Sequence, residues 1–382
     1  MANREKLWKF IQQNDLKTVE QLFQSAPELF ATDSSFRKGE SPLHIASRYG
    51  LMEMVEFLSG FINLNVTDNN GKTALHEAAS AGHALVVDFF LKHGVNADCL
   101  KAADWTPLMM ACAKGHIGVM KILVSNGASI TRVNKDGWNT FHIATRDQDI
   151  QIVSFLLDEA PSCWDTSSKN GRTPLHTAAI HGRVECLKLM LSTRCQYDIN
   201  CKDSCGSTPL MDAIRKDHSS VVNLLLLNDA SAHSENILQR NCMHVAAEAG
   251  SLNSLPILQN YITTEAMPGI VNSPDCNGTR PLHLASKEGH SDMLRSLMSI
   301  GADPHLQDAN GRNALHVAKL FKQEKCVELL HEHSEKPKDR KWLSELPLYL
   351  HFSESFEVNI AKVMKLCSND CFNTSRYGNL SI

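Results

Sequence analysis

The stretch Gly171–Leu191, GRTPLHTAAIHGRVECLKLML, decides the reading of this chain. Thr173 is placed to cap a helix, and Pro174 suits the first turn, where a missing N–H costs nothing. Leu175, Ala178 and Ala179 form a small apolar face, and Gly182 can take the left-handed conformation that ends a helix. Val184, Leu187, Leu189 and Leu191 then supply the apolar face of a second helix. The stretch predicts two short helices joined by a tight turn.

The same pattern recurs. It opens at Ser41 (SPLHIASRYG), Thr73 (TALHEAASAG), Thr106 (TPLMMACAKG), Asn139 (NTFHIATRDQ) and Thr173. It opens again at Thr208 (TPLMDAIRKD), Asn241 (NCMHVAAEAG), Arg280 (RPLHLASKEG) and Asn313 (NALHVAKLFK). The marker residues are His44, His76, Met109, His142, His176, Met211, His244, His283 and His316, spaced by 32, 33, 33, 34, 35, 33, 39 and 33. An alanine stands two places after each marker, from Ala46 to Ala318, and its small side chain lets neighbouring inner helices approach closely.

A period of about 33 residues carrying T-P-L-H-x-A resembles the ankyrin repeat over roughly residues 5–333. The resemblance implies an all-α solenoid of helix-turn-helix units with β-hairpin fingers. An N-terminal capping pair (1–35) precedes nine repeats (36–335), and a linker and disordered tail (336–382) follow. Leu7, Phe10, Ile11, Val19, Leu22 and Phe23 face inward in the cap. Polar stretches such as NVTDNNGKT (65–73) and NKDGWNT (134–140) suit the tight turns of the fingers. The spacing of 39 puts a surface loop at 261–272. Gln148, Asp217 and Lys322 replace the helix-ending glycine, so those turns should be strained or differently shaped.

Composition narrows the function. The 382 residues carry a net charge of −4, so no global basic field favours nucleic acid. No run of about 18 apolar residues predicts a membrane span. The twelve cysteines read as reduced thiols, with Cys112, Cys186 and Cys326 on apolar helical faces. A cytoplasmic location is expected, with the nucleus as the second choice. No cofactor and no metal are expected. Seven of the 18 histidines are repeat markers, and His83, His116 and His290 occupy a second repeat position. The C-x3-C pairs Cys201/Cys205 and Cys367/Cys371 lack a second pair at zinc-finger spacing. No G-x-S-x-G, P-loop or HExxH motif points to an enzyme.

The informative residues are departures from the repeat. Aligned on the markers, Lys72, Trp105, Trp138 and Arg172 fall in one place of four successive fingers. With repeats stacked about 10 Å apart, they form a ladder along one edge. Exposed tryptophans flanked by cations fit a partner-binding hot spot; the alternative is local packing of each indole on its neighbouring hairpin. Lys101, Lys135 and Lys169 precede the turns of three of these fingers and repeat at 34 and 34 residues. Asp104 replaces a turn glycine, which should change the shape of that hairpin.

Over its whole length, and in fingers such as ADCLKAADWTPLMMACAKGH (97–116), the chain is similar to the vertebrate ankyrin-repeat co-regulators of alanyl-tRNA synthetase. That resemblance implies a monomeric, non-enzymatic protein that binds the synthetase. It would capture misactivated serine on lysine side chains before serine reaches tRNA(Ala). Lys101, Lys135 and Lys169 are the candidate acceptors. The alternative is a generic scaffold or adaptor, for instance a substrate receptor in a ubiquitin pathway.

Overall fold

The computed structural model describes residues 2–31, 37–147, 149–160, 166–192, 198–264 and 266–335. The described residues up to His331 form one compact unit. The expected tail, 336–382, and the turn residue Gln148 lie outside the described residues.

The guide stretch folds as its sequence predicts. The Thr173 and His176 side chains cap the inner helix Pro174–Ile180 reciprocally, and Gly182 turns the chain at φ 67°. The outer helix Val184–Ser192 buries Cys186, Leu187 and Met190, while Val184, Leu189 and Leu191 are only partly covered. The buried stripe is thus shifted from the expected leucines, because the sulfur side chains sit at the inner spacing.

A capping pair, Ala2–Gln12 and Leu16–Ser25, starts the stack, and nine helix pairs follow, from Pro42–Tyr49 to Glu324–Glu335. Inner helices pack on the inner helices of the next repeats through the marker-plus-two alanines, all at most 1% exposed from Ala46 to Ala318. One apolar core runs from Leu7 to Leu330. The long spacing is not a plain loop: Met267–Val271 is an extra helical turn that buries Met267 and Val271. No helix among the described residues is long and apolar enough to cross a membrane.

Two sets of side chains tie each repeat to the next. The marker histidine faces both ways. Nδ1 of His176 accepts from the Thr173 N–H at 3.2 Å, and its Nε2–H donates to the Ser207 carbonyl of the next finger at 2.9 Å. His44, His76, His142, His244 and His283 reach forward to Lys72, Trp105, Arg172, Thr279 and Arg312 in the same way. The second set reaches backward: His83, His116 and His290 bond carbonyls of the preceding inner helix at 2.9–3.2 Å. The marker's pair of bonds requires a neutral ring, because Nδ1 accepts while Nε2–H donates. Burial pushes His76, His142 and His244 down to about 4, outweighing their carbonyl partners.

Asp217 and Lys322 keep the turn that glycine makes elsewhere, at φ 54° and 58°. The expected change of shape is absent at both. At Asp217 the reason is visible: its carboxylate accepts from the Asn253 and Ser254 N–H groups and the Ser254 hydroxyl, which hold the turn.

Candidate functional site

The fingers carry the candidate residues. A finger is closed by one backbone hydrogen bond between its first and fifth residues. Examples are Asp68 N to Lys72 O at 2.9 Å, Lys101 N to Trp105 O at 3.1 Å and Asn134 N to Trp138 O at 2.9 Å. A first-place carboxylate or amide then accepts from two N–H groups of the same turn. Asp68, Asn134, Asp203, Asn236, Asp275 and Asp308 all do so.

Consecutive fingers are hooked together by backbone. The second residue donates to the third residue of the finger before: Ala102 to Asn70, Lys135 to Ala103, Lys169 to Asp136, Ser204 to Asn170. At Gly137 the approach is close enough to demand glycine in the fourth place, which Asp104 and Gln239 hold in two other fingers. A Cβ on Gly137 would lie 2.6 Å from the Lys169 nitrogen.

Lys72, Trp105, Trp138 and Arg172 hold the fifth place of four successive fingers, so they do form one row. Their surroundings differ from the sequence expectation. Trp105 and Trp138 are half-buried against the core rather than exposed. Each indole carries a cation: Lys101 Nζ lies 5.4 Å from the Trp105 ring, and the Arg146 guanidinium 5.8 Å from Trp138, which also stacks on His142. Lys72 pairs with Glu77 at 2.7 Å and Arg172 with Asp203 at 3.3 Å.

The three lysines do not occupy equivalent places. Lys101 stands first in its finger, where Asp68 and Asp203 stand in theirs, whereas Lys135 and Lys169 stand second. The ammonium cannot accept the turn N–H groups. Ala103 and Asp104 both go left-handed there, at φ 64° and 58°, so this hairpin does differ in shape. Lys101 is half-buried; Lys135 and Lys169 are exposed, and none of the three makes an ion pair among the described residues. Burial, and then the nearby Lys72 charge, hold the Lys101 ammonium below the usual lysine range. Counting eight residues back from each marker reveals the register shift, since it lands on Asp68, Lys101, Asn134, Ser168 and Asp203.

Sequence reasoning missed two carboxylates that organise the flanks. Glu77 and Asp212, each one place after a marker, are 3% and 1% exposed. Glu77 accepts from Arg48 at 2.8 and 2.9 Å besides its Lys72 pair; Arg48 also bonds Glu40. These cations outweigh burial and hold the Glu77 carboxyl low. Asp212 meets Arg215 at 2.5 Å and the Arg172 guanidinium at 4.0 Å, yet burial wins and its carboxyl is raised. The signal was available: an acid at a place filled elsewhere by Ile45, Ile143 and Val245.

Between the fingers 134–138 and 168–172 lies a cleft of about 350 Å³, lined by Asp136, Trp138, Lys169 and Asn170. Cys112, Cys186 and Cys326 are buried, and Cys205 is exposed. Among the described residues no three His, Cys, Asp or Glu side chains converge as a metal site would require. This edge therefore offers aromatic faces, amines and paired charges: a surface suited to recognition.

Comparison with known proteins identifies the family. The family model described as Ankyrin repeats (3 copies) matches five overlapping windows, 7–101, 85–167, 161–236, 210–308 and 243–341. Relatives include the E3 ubiquitin-protein ligase KEG of Arabidopsis thaliana, 27% identical over 73% of this chain and 18% of its own length. A transient receptor potential cation channel, subfamily A member 1, of Drosophila melanogaster is 26% identical over 69% of this chain and 23% of its own. Human Rabankyrin-5 is 27% identical over 75% and 28%. In all three the match covers less than a third of the relative.

Proposed function

Because the chain belongs to the ankyrin-repeat family, whose fold is a protein-interaction module, we propose that it is a non-catalytic partner of alanyl-tRNA synthetase. In this reading it binds the synthetase and takes misactivated serine onto its own lysines, Lys101, Lys135 and Lys169. The sequence resemblance to the co-regulators of that synthetase supports the identity of the partner. The observation that carries the chemistry is Lys101: an amine in a turn-acid place, partly desolvated over an indole and in no ion pair among the described residues.

The step balances simply. The neutral amine attacks the carbonyl carbon of seryl-adenylate. A C–N bond forms, the mixed-anhydride C–O bond breaks, AMP departs and the nitrogen loses a proton. A lowered ammonium pKa enlarges the reactive fraction. The lysine is consumed as an amide, so the protein does not turn over. Immobilised protein should retain alanyl-tRNA synthetase at micromolar concentration; a synthetase that passes through would overturn this reading. The second reading is a scaffold or adaptor in a ubiquitin pathway, favoured by the likeness to the repeat region of a ubiquitin ligase.

A further inference from the structure

The fifth-place row is closed by ion pairs on both flanks and open in the middle. On one side Arg48 and Lys72 grip Glu77. On the other Arg172 and Arg215 meet Asp203 and Asp212, and beyond them Arg240 holds Asp275 at 3.0 Å. The two repeats between break the pattern. The place of Glu77 and Asp212 is taken by Met110 and Ile143, and the place of the arginine or lysine by Trp105 and Trp138. The cations here, Lys101 and Arg146, rest on the indoles, and Lys135 and Lys169 form no ion pair among the described residues. Among the described residues Arg146 pairs only with its neighbour Asp147. The window thus offers two aromatic faces and an excess of amines, where the flanks are internally neutralised.

We infer that this window docks an extended acidic segment of a partner protein, with two apolar side chains lying on Trp105 and Trp138. The inference rests on the binding reading above and specifies the chemistry of the partner. Charge complementarity selects acidic residues, since Lys101, Lys135 and Lys169 outnumber Asp104 and Asp136 on these fingers and form no ion pair among the described residues. Repeat spacing selects the anchor interval. The two indoles belong to adjacent fingers hooked by the bond from Lys135 N to Ala103 O at 3.0 Å, so they recur at about the 10 Å of neighbouring repeats. A polyproline-II segment returns a side chain to the same side every third residue, about 9.3 Å along. A β-strand returns it every second residue, about 7 Å along. The window therefore matches anchors at i and i+3. The cleft beside Trp138 gives the second anchor room, with the indole as wall and Asp136, Lys169 and Asn170 around it.

The test is fluorescence anisotropy with the full chain and three labelled peptides. EELEELEE carries leucines at i and i+3, EELELEEE at i and i+2, and KKLKKLKK inverts the charge. EELEELEE should bind at least fivefold tighter than EELELEEE, and KKLKKLKK should not bind. Trp105→Ala with Trp138→Ala should weaken EELEELEE at least tenfold. The exposed pair Lys135→Glu and Lys169→Glu, which leaves the core untouched, should do so as well. Equal affinity for the two acidic peptides, or binding indifferent to both double variants, overturns the inference. The same variants are run against alanyl-tRNA synthetase. Synthetase retained while EELEELEE fails sinks the window and spares the partner. EELEELEE bound while the synthetase passes through supports the window and sinks the partner.

Discussion

The marker histidine is the joint on which the stack depends, and His176 lets its contribution be worked out. Its ring is fully buried. It receives the Thr173 N–H at 3.2 Å, contacts the Thr173 hydroxyl at 3.0 Å and donates to Ser207 O at 2.9 Å. Ser207 O also accepts from Asp203 N at 2.9 Å, so removing the ring does not strand that carbonyl. The Thr173 N–H is stranded. An orphaned buried donor costs about 1–3 kcal/mol. His176→Met keeps most of the volume, and the chain itself places Met109 and Met211, both at most 1% exposed, in this position. His176→Met should therefore cost about 1–2 kcal/mol. His176→Ala adds a cavity and should reach about 3–4 kcal/mol. Urea unfolding followed by circular dichroism measures both. If the two variants differ by less than about 0.5 kcal/mol, packing does not contribute as argued. If both lose less than that, the joint does not exist.

Other consequences follow from the same geometry. Stability should fall as pH drops from about 6.5 towards 4. His76, His142 and His244 have folded pKa values depressed to about 4, so the unfolded chain binds protons first. Each contributes a slope of up to about 1.4 kcal/mol per pH unit, and a flat midpoint in urea titrations across that window would contradict it. Gly137→Ala meets both a φ of 78° and the Lys169 nitrogen at 2.6 Å, so it should cost at least about 1 kcal/mol. Asp104→Gly relieves a left-handed residue and should raise the melting temperature, whereas a loss would mean that the Asp104 side chain holds the hairpin. Trp105→Ala with Trp138→Ala should weaken synthetase binding by more than about 2 kcal/mol; unchanged affinity with a lower melting temperature would make the indoles packing elements.

The architecture was legible because it is periodic. The helix openings and the alanines each repeat nine times and the turn glycines six, and the helix pairs follow them. The marker histidine was legible as a repeat position, and its forward bond to the next finger was not. That bond joins residues about 30 apart, which no local pattern encodes. The finger residues were legible by column and misread in environment. Trp105 and Trp138 align as expected, yet burial depends on the neighbouring repeat, so their half-buried state was hidden. Lys101, Lys135 and Lys169 were grouped by their equal spacing of 34. That equality is accidental: the markers Met109, His142 and His176 are 33 and 34 apart, so Lys101 sits one place earlier in its turn. The same count would have exposed it as a lysine in an acid's place. Glu77 and Asp212 were overlooked because a carboxylate on an inner helix reads as surface until Arg48 and Arg215 are seen closing over it.

The central claim is that the lysines of these fingers accept serine, with Lys101 foremost. The direct measurement is peptide mass mapping of the full chain after incubation with alanyl-tRNA synthetase, serine and ATP. The account predicts a serine amide on Lys101, Lys135 and Lys169, highest at Lys101 and absent when ATP is withheld. Serine spread evenly over all lysines, or found on none, would contradict it.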